Sequence, residues 1–208
     1  MKKQSIFLLF ILCCLSCASQ KAEVIAKSTI KLEGKNTNIR DLLDIDGVYS
    51  SSTMFFQDGT WVIFSMKKNT EEKINNLFNY VETWSEKKQV RWGTYWGVYE
   101  MKNDTIIVHY YDKGTLLKGW SLNQRKYKVI DRRTIQIIYD RSILEQSEEY
   151  YKTNTPWLNL KPVHFILADS LPSSDNWLKE NKWIWRNESD WKEYMQHVEQ
   201  VKKQYKKK

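Results

Sequence analysis

Cysteine is scarce in this chain and confined to one end. All three, Cys13, Cys14 and Cys17, fall in the first 17 of 208 residues. Everything after them lacks thiols, which excludes disulfide staples, thiolate nucleophiles and cysteine metal sites; stability there must come from packing. Proline (three) and glycine (seven) are nearly as rare, which excludes a long low-complexity linker. Histidine occurs at positions 109, 164 and 197 without ligand spacing, so a zinc site is not expected. Asp41, Asp44 and Asp46 precede Gly47 but lack the spacing and distal Glu of a calcium loop. There is no dinucleotide-binding Gly-x-Gly-x-x-Gly, no Walker loop and no Gly-x-Ser-x-Gly. No cofactor, metal or nucleic acid is implied.

Aromatics are abundant by contrast, at 14% with ten Trp, far too many large side chains for a disordered protein. The length suits one domain with appendages. At the start, Lys2 and Lys3 precede the apolar run 6–12, which is too short to span a bilayer and has the form of an export signal over 1–16. Cys14-Leu15-Ser16-Cys17 resembles the lipobox of bacterial lipoproteins, with Cys14 where that family usually has Leu. The resemblance implies cleavage before Cys17, acylation of Cys17 and attachment to a bacterial membrane in the cell envelope. No acidic run follows over 18–21, and the periplasmic side of the outer membrane is expected. Losing the signal removes two Lys and no acids, taking the formal charge from +8 to 8 − 2 = +6. The lysines are dispersed, as on a solvated surface, apart from a cluster at 202–208.

Residues 17–40 are polar with isolated apolar positions (Val24, Ile25, Ile30, Leu32) and read as a tether; the domain is expected over 41–208. Asp58-Gly59, flanked by Thr53–Gln57 and Thr60–Met66, is a hairpin signal. Asn69 and Glu72 can cap a helix over 70–86, with Ile74, Leu77, Phe78, Val81 and Trp84 at helical spacing. From 89 to 140, short runs rich in Trp, Tyr, Ile and Val are broken by NDT, DKG, LNQR and DRR, an antiparallel meander. Both faces of 90–101 are apolar, so this strand should be covered on both sides. Val163–Leu167 follows Pro162 as a last strand. Ser189 can cap a C-terminal helix striped by Trp191, Tyr194, Met195, Val198 and Val201. The expected fold is mainly β, α+β by content: an antiparallel barrel with an inserted helix and a C-terminal helix.

That arrangement resembles the lipocalin and calycin group. Gly47-Val48-Tyr49 stands where a lipocalin has Gly-x-Trp, with Tyr as a departure, and the helix at 70–86 is closer to the fatty-acid-binding-protein arrangement. Gly97, Tyr99, Asp104, Thr105 and Ile106 in GVYEMKNDTIIV resemble a pattern of bacterial lipoproteins with lipocalin-like domains. The resemblance carries no catalytic residues. It implies a non-enzymatic envelope protein, holding a small apolar or amphipathic ligand with Trp92, Trp96, His109 and Tyr111 as wall candidates. The alternative is a structural or assembly lipoprotein, its barrel packed solid, that contacts another envelope protein. Gly93 and Gly97 matter to this choice. With their face inward a cavity lined by Tyr95 and Tyr99 is expected; with it outward, Trp92 and Trp96 crowd the centre. Two weaker signals read as structure: Ser-x-x-Lys at Ser65 with Ser174-Asp175-Asn176, which lacks the Lys-Thr-Gly of penicillin-binding enzymes, and Trp183-Ile184-Trp185-Arg186, a candidate stacking platform.

Overall fold

The computed structural model describes residues 19–64, 74, 75, 77–79, 81, 94–113, 119–143 and 161–206. Eight strands close into one barrel: β1 (Gly47–Tyr49), β2 (Thr53–Phe55), β3 (Thr60–Ile63), β4 (Tyr95–Lys102), β5 (Thr105–Asp112), β6 (Ser121–Asp131), β7 (Thr134–Ser142) and β8 (Val163–Leu167). Every pairing is antiparallel, and β1 meets β8 to complete the circle. Helix α1 (19–27) precedes the barrel and α2 (Glu188–Lys206) follows it. The expected fold class therefore holds, and the architecture is consistent with a lipocalin-like fold.

The two ends differ. At the lower end the turns are tight: 56–59, 103–104 and 132–133. Gly59 (φ 90°) and Asn103 (φ 54°) take the left-handed conformations that such turns need. Asp58 serves the first of them by accepting from the Thr60 backbone N–H (3.0 Å) and hydroxyl (2.6 Å). The strand ends Ile63, Tyr95, Asp112, Ser121 and Ser142 lie at the upper end.

Alternating side chains divide into two clusters, and contacts between distant strands decide which faces inward. Phe55 on β2 meets Tyr127 on β6 with ring centroids 5.5 Å apart. The hydroxyls of Thr53 and Tyr127 hydrogen-bond at 3.3 Å. Trp61 on β3 meets Tyr110 on β5 at 5.4 Å and Tyr127 at 6.5 Å. The contacts from β2 and β3 to Tyr127 on β6 can only cross the lumen, and Trp61 and Tyr110 meet on that same face over Gly97. The inner cluster thus contains Tyr49, Phe55, Trp61, Tyr99, Val108, Tyr127, Ile137 and Phe165. Below them Ile39, Leu43 and Ile45 plug the lower end. Asp44 holds the plug in place, its N–H donating to the Arg132 carbonyl (2.9 Å) and its carboxylate accepting from the Arg132 guanidinium.

The outer face is apolar as well, as expected for β4. Val48, Met54, Val62, Trp96, Val98, Tyr111 and Leu122 lie beneath a coat formed by both chain ends. Where a tether was expected over 17–40, residues 19–40 are laid onto the barrel, with Val24, Ile30, Leu32 and Ile39 buried. Leu32 is clasped by backbone hydrogen bonds from its N–H to the Ile184 carbonyl and from the Arg186 N–H to its own carbonyl, both 2.8 Å. Of the helix expected over 70–86, residues 74–75 are helical and Leu77–Asn79 form a 3-10 turn; Ile74, Leu77 and Val81 join the coat, while Trp84 lies outside the described residues.

A second correction concerns LNQR. Residues 122–125 do not break the sheet: β6 runs through them for 11 residues. Their polarity is satisfied across strands. Gln124 bonds His109 on β5, and Arg125 bonds Asp140 on β7.

Candidate functional site

Three places merit attention: the expected ligand wall, the lumen, and the lower surface. Trp92 lies outside the described residues. Trp96, His109 and Tyr111 do come together, with Trp96 opposite Tyr111 and Val98 opposite His109 on β4 and β5. All three face outward, under the coat, and are 1%, 2% and 1% exposed. The Tyr111 hydroxyl shares a 2.6 Å hydrogen bond with Ser28, and its ring meets Trp183 edge-on at 5.2 Å. The Gln124 amide donates to His109 Nε2 (3.0 Å), which puts the ring proton on Nδ1. That nitrogen is buried without a partner among the described residues. Burial, opposed by Glu100 and assisted by Lys31, pushes the His109 pKa down to about 4, so the ring is neutral at pH 7. These three residues join barrel to coat.

Around Trp61 and below it the lumen is filled. The Gly97 face points inward, the condition under which a cavity beside Tyr95 and Tyr99 was expected. Trp61 occupies the vacated space: a Cβ on Gly97 would stand 2.6 Å from the His109 carbonyl oxygen, 2.9 Å from Tyr110 Cβ and 3.1 Å from Trp61 Cε3. A void large enough for water would leave exposed area on the side chains around it. Trp61, Ile106, Val108, Tyr127 and Ile135 have none, at 0% each.

At the lower end the Tyr49 and Tyr99 hydroxyls donate to backbone carbonyls of Arg132 and Phe56, while the charged groups sit in the upper half. The Arg125 guanidinium, whose carbon sits 5.8 Å from the Trp61 ring centroid and 5.5 Å from that of Tyr110, donates through Nε to Asp140 Oδ2 at 3.0 Å. The Tyr110 hydroxyl donates to the other oxygen of Asp140 at 2.9 Å. Burial, then the Asp140 charge, raises the Tyr110 pKa, so its proton stays on. Trp61 Nε1, in contrast, is buried without a partner among the described residues. No sequence signal marked this cluster, since Arg125 read as part of a turn.

The lower surface carries two clefts of about 580 and 540 Å³ on either side of residues 32–36. The first is lined by Lys31, Glu33, Tyr99, Glu100 and Arg186. The second is lined by Trp185, Asp190, Glu193, Tyr194 and His197. Asp58 borders both, within a buried charged network. Lys179 Nζ donates to Asp58 Oδ2 (2.9 Å) and lies 3.7 Å from Asp175. Ser174 Oγ also donates to Asp58, at 2.7 Å. Burial works to raise the Asp58 pKa, but the Lys179 charge and hydrogen bonds from Thr60, Ser174 and Lys179 hold it below the ordinary carboxylate range. Nucleophilic chemistry at Ser174 would need an amine lone pair facing its hydroxyl. Here the Lys179 amine is a donor into a carboxylate, and the network fastens the C-terminal segment to the β2–β3 turn. Ser65 to Lys68 lie outside the described residues. Trp183 and Trp185 are likewise occupied, packed on Tyr111 and Tyr194.

Among the described residues no group of three or more His, Cys, Asp or Glu could hold a metal ion, and no helix is long and apolar enough to cross a membrane. Comparison with protein-family models, curated proteins and solved structures finds no match. A closed eight-stranded barrel is an architecture able to hold one small ligand, and the fold allows that role.

Proposed function

We propose that this chain is a non-enzymatic bacterial envelope protein, anchored through acylated Cys17, whose barrel is a solid scaffold that contacts another envelope protein. The observation that carries this reading is the filled lumen, with rings from opposite walls touching and Trp61, Val108 and Tyr127 wholly unexposed. That part of the lining, already in contact with itself, leaves no room for a ligand, which favours a role at the surface. The clefts at the lower end, rimmed by both charges and by Tyr99 and Trp185, offer a partner polar and aromatic contacts.

A ligand-holding role survives as a second reading for the upper half of the lumen alone. It is favoured by Trp61 Nε1, which has no partner among the described residues, beside half-buried Tyr95, Tyr110 and Arg125.

Two experiments test the proposal. Metabolic palmitate labelling should be lost in Cys17→Ser; labelling equal to wild type means that Cys17 is not the attachment site. Titration of the wild-type protein with an apolar fluorescent probe should give no saturable binding, and one-to-one saturation would favour the second reading.

A further inference from the structure

The point at which the first described residues meet the barrel bears on how the domain stands relative to a lipid surface. Ser19, the first described residue, is in helix α1 two residues after Cys17, and two residues span at most about 7 Å even when extended. The helix is fixed to the barrel. Val24 is fully buried, Ser28 is bonded to Tyr111 just beyond the helix, and the Gln20 amide lies over Gly119 so closely that a Cβ there would collide with it. Gly119 and Trp120 lead into β6 at the upper end. An anchor at Cys17 therefore has almost no slack, and it holds the upper end near the lipid.

The side chains there have the chemistry of a membrane interface. Lys21 Nζ sits 5.0 Å from the centroid of Trp120. Trp120 meets Trp177 edge-on at 5.9 Å, and Lys113 Nζ sits 4.3 Å from the centroid of Trp177. Both Trp are half-buried and Lys113 is exposed. Glu23, in the same helix as Lys21, is paired with Lys27 at 2.7 Å. Trp rings settle at the headgroup level because one part is apolar and the N–H is polar, and lysines beside them are drawn to anionic headgroups.

We infer that the face formed by Lys21, Lys113, Trp120 and Trp177 rests in the headgroup layer of an anionic bilayer, which points the lower-end clefts away from the membrane. This orientation rests on the anchoring at Cys17 proposed above, and the test separates the two. The mature chain would have no free thiol, so one introduced cysteine takes one label. Full-length protein, expressed and lipidated in bacteria, is labelled with an environment-sensitive fluorophore at Lys113→Cys or, as the opposite-end control, Lys102→Cys. Both are exposed lysines, and replacing them leaves the core untouched. Each is reconstituted into phosphatidylethanolamine–phosphatidylglycerol vesicles carrying spin-labelled lipid. The label at 113 should be quenched several-fold more than that at 102. Unlabelled protein gives an independent reading: brominated lipid should quench intrinsic fluorescence less in a Trp120→Phe, Trp177→Phe double variant than in wild type. Flotation with the vesicles but equal quenching at 113 and 102 overturns the orientation alone, and leaves the Trp face to a protein partner. A chain that does not float overturns the anchoring and the orientation with it.

Discussion

Trp61 is where a filled lumen and a ligand-lined one give opposite results on mutation. Its indole is fully buried over Gly97 and touches the rings of Tyr110 and Tyr127. An aromatic side chain buries about 150–250 Å², which at about 25 cal/mol per Å² is worth roughly 4–6 kcal/mol. Replacement by Ala keeps a methyl group and also removes an N–H that has no partner among the described residues, whose burial costs about 1–3 kcal/mol. Trp61→Ala should therefore cost about 3 kcal/mol, at the lower edge of the range for truncated core aromatics. The assay is guanidinium unfolding, read as a lower midpoint at unchanged slope. The cavity left behind should admit an apolar probe that wild type excludes. Trp61→Phe is the sharper companion: it gives up part of the ring but also the stranded N–H, so its cost should stay within about 1 kcal/mol. A loss below about 1 kcal/mol for Trp61→Ala would mean that the ring borders empty space. A Trp61→Phe loss as large as that of Trp61→Ala would mean that the N–H has a ligand for a partner.

Other perturbations probe the coat and the fasteners. His109 is held neutral, with its pKa pushed down to about 4 against about 6.5 in an unfolded chain. Its contribution is fully present above about pH 6.5 and is lost as the pH falls towards 4, by no more than about 3 kcal/mol. His109→Gln should flatten the stability profile across that window; an unchanged slope would place its cause elsewhere. Lys179→Met strands Asp58 and Asp175, and breaking a buried pair costs about 3–5 kcal/mol. Partial exposure of Asp58 should bring the loss to the lower end of that range, and a melting temperature equal to wild type would show that the network is not a fastener. Gly97→Ala forces a methyl against the His109 carbonyl and Trp61, so overpacking should cost about 1–3 kcal/mol; a neutral result in the same unfolding assay would show that the lumen has slack.

Much of the barrel was legible because local chemistry and tertiary structure agree. Asp58-Gly59 turns as its residue types require, and Val163–Leu167 is a strand that starts just after Pro162. The inward face of β4 was not legible. With Val98 on one side and Tyr99 on the other, alternation cannot say which side meets the lumen. The coat escaped notice for a related reason: Val24, Ile30 and Leu32 are buried singly along a segment with no repeating pattern, and the surface they cover comes from strands far away in sequence. Arg125 and Gln124 looked like turn residues because their partners, Asp140 and His109, are 15 positions away on neighbouring strands. Of the candidate wall, Trp96, His109 and Tyr111 meet on the outer surface of the barrel, because the pleat turns them away from Gly97, Tyr99 and Tyr110.

Native mass spectrometry of the full-length protein released from detergent tests the filled lumen most directly. The expected spectrum shows the mass of the chain with its covalent acyl groups and nothing else that survives gentle activation. A stoichiometric small molecule, released in step with unfolding of the barrel, would contradict the solid-scaffold account and make the barrel a carrier.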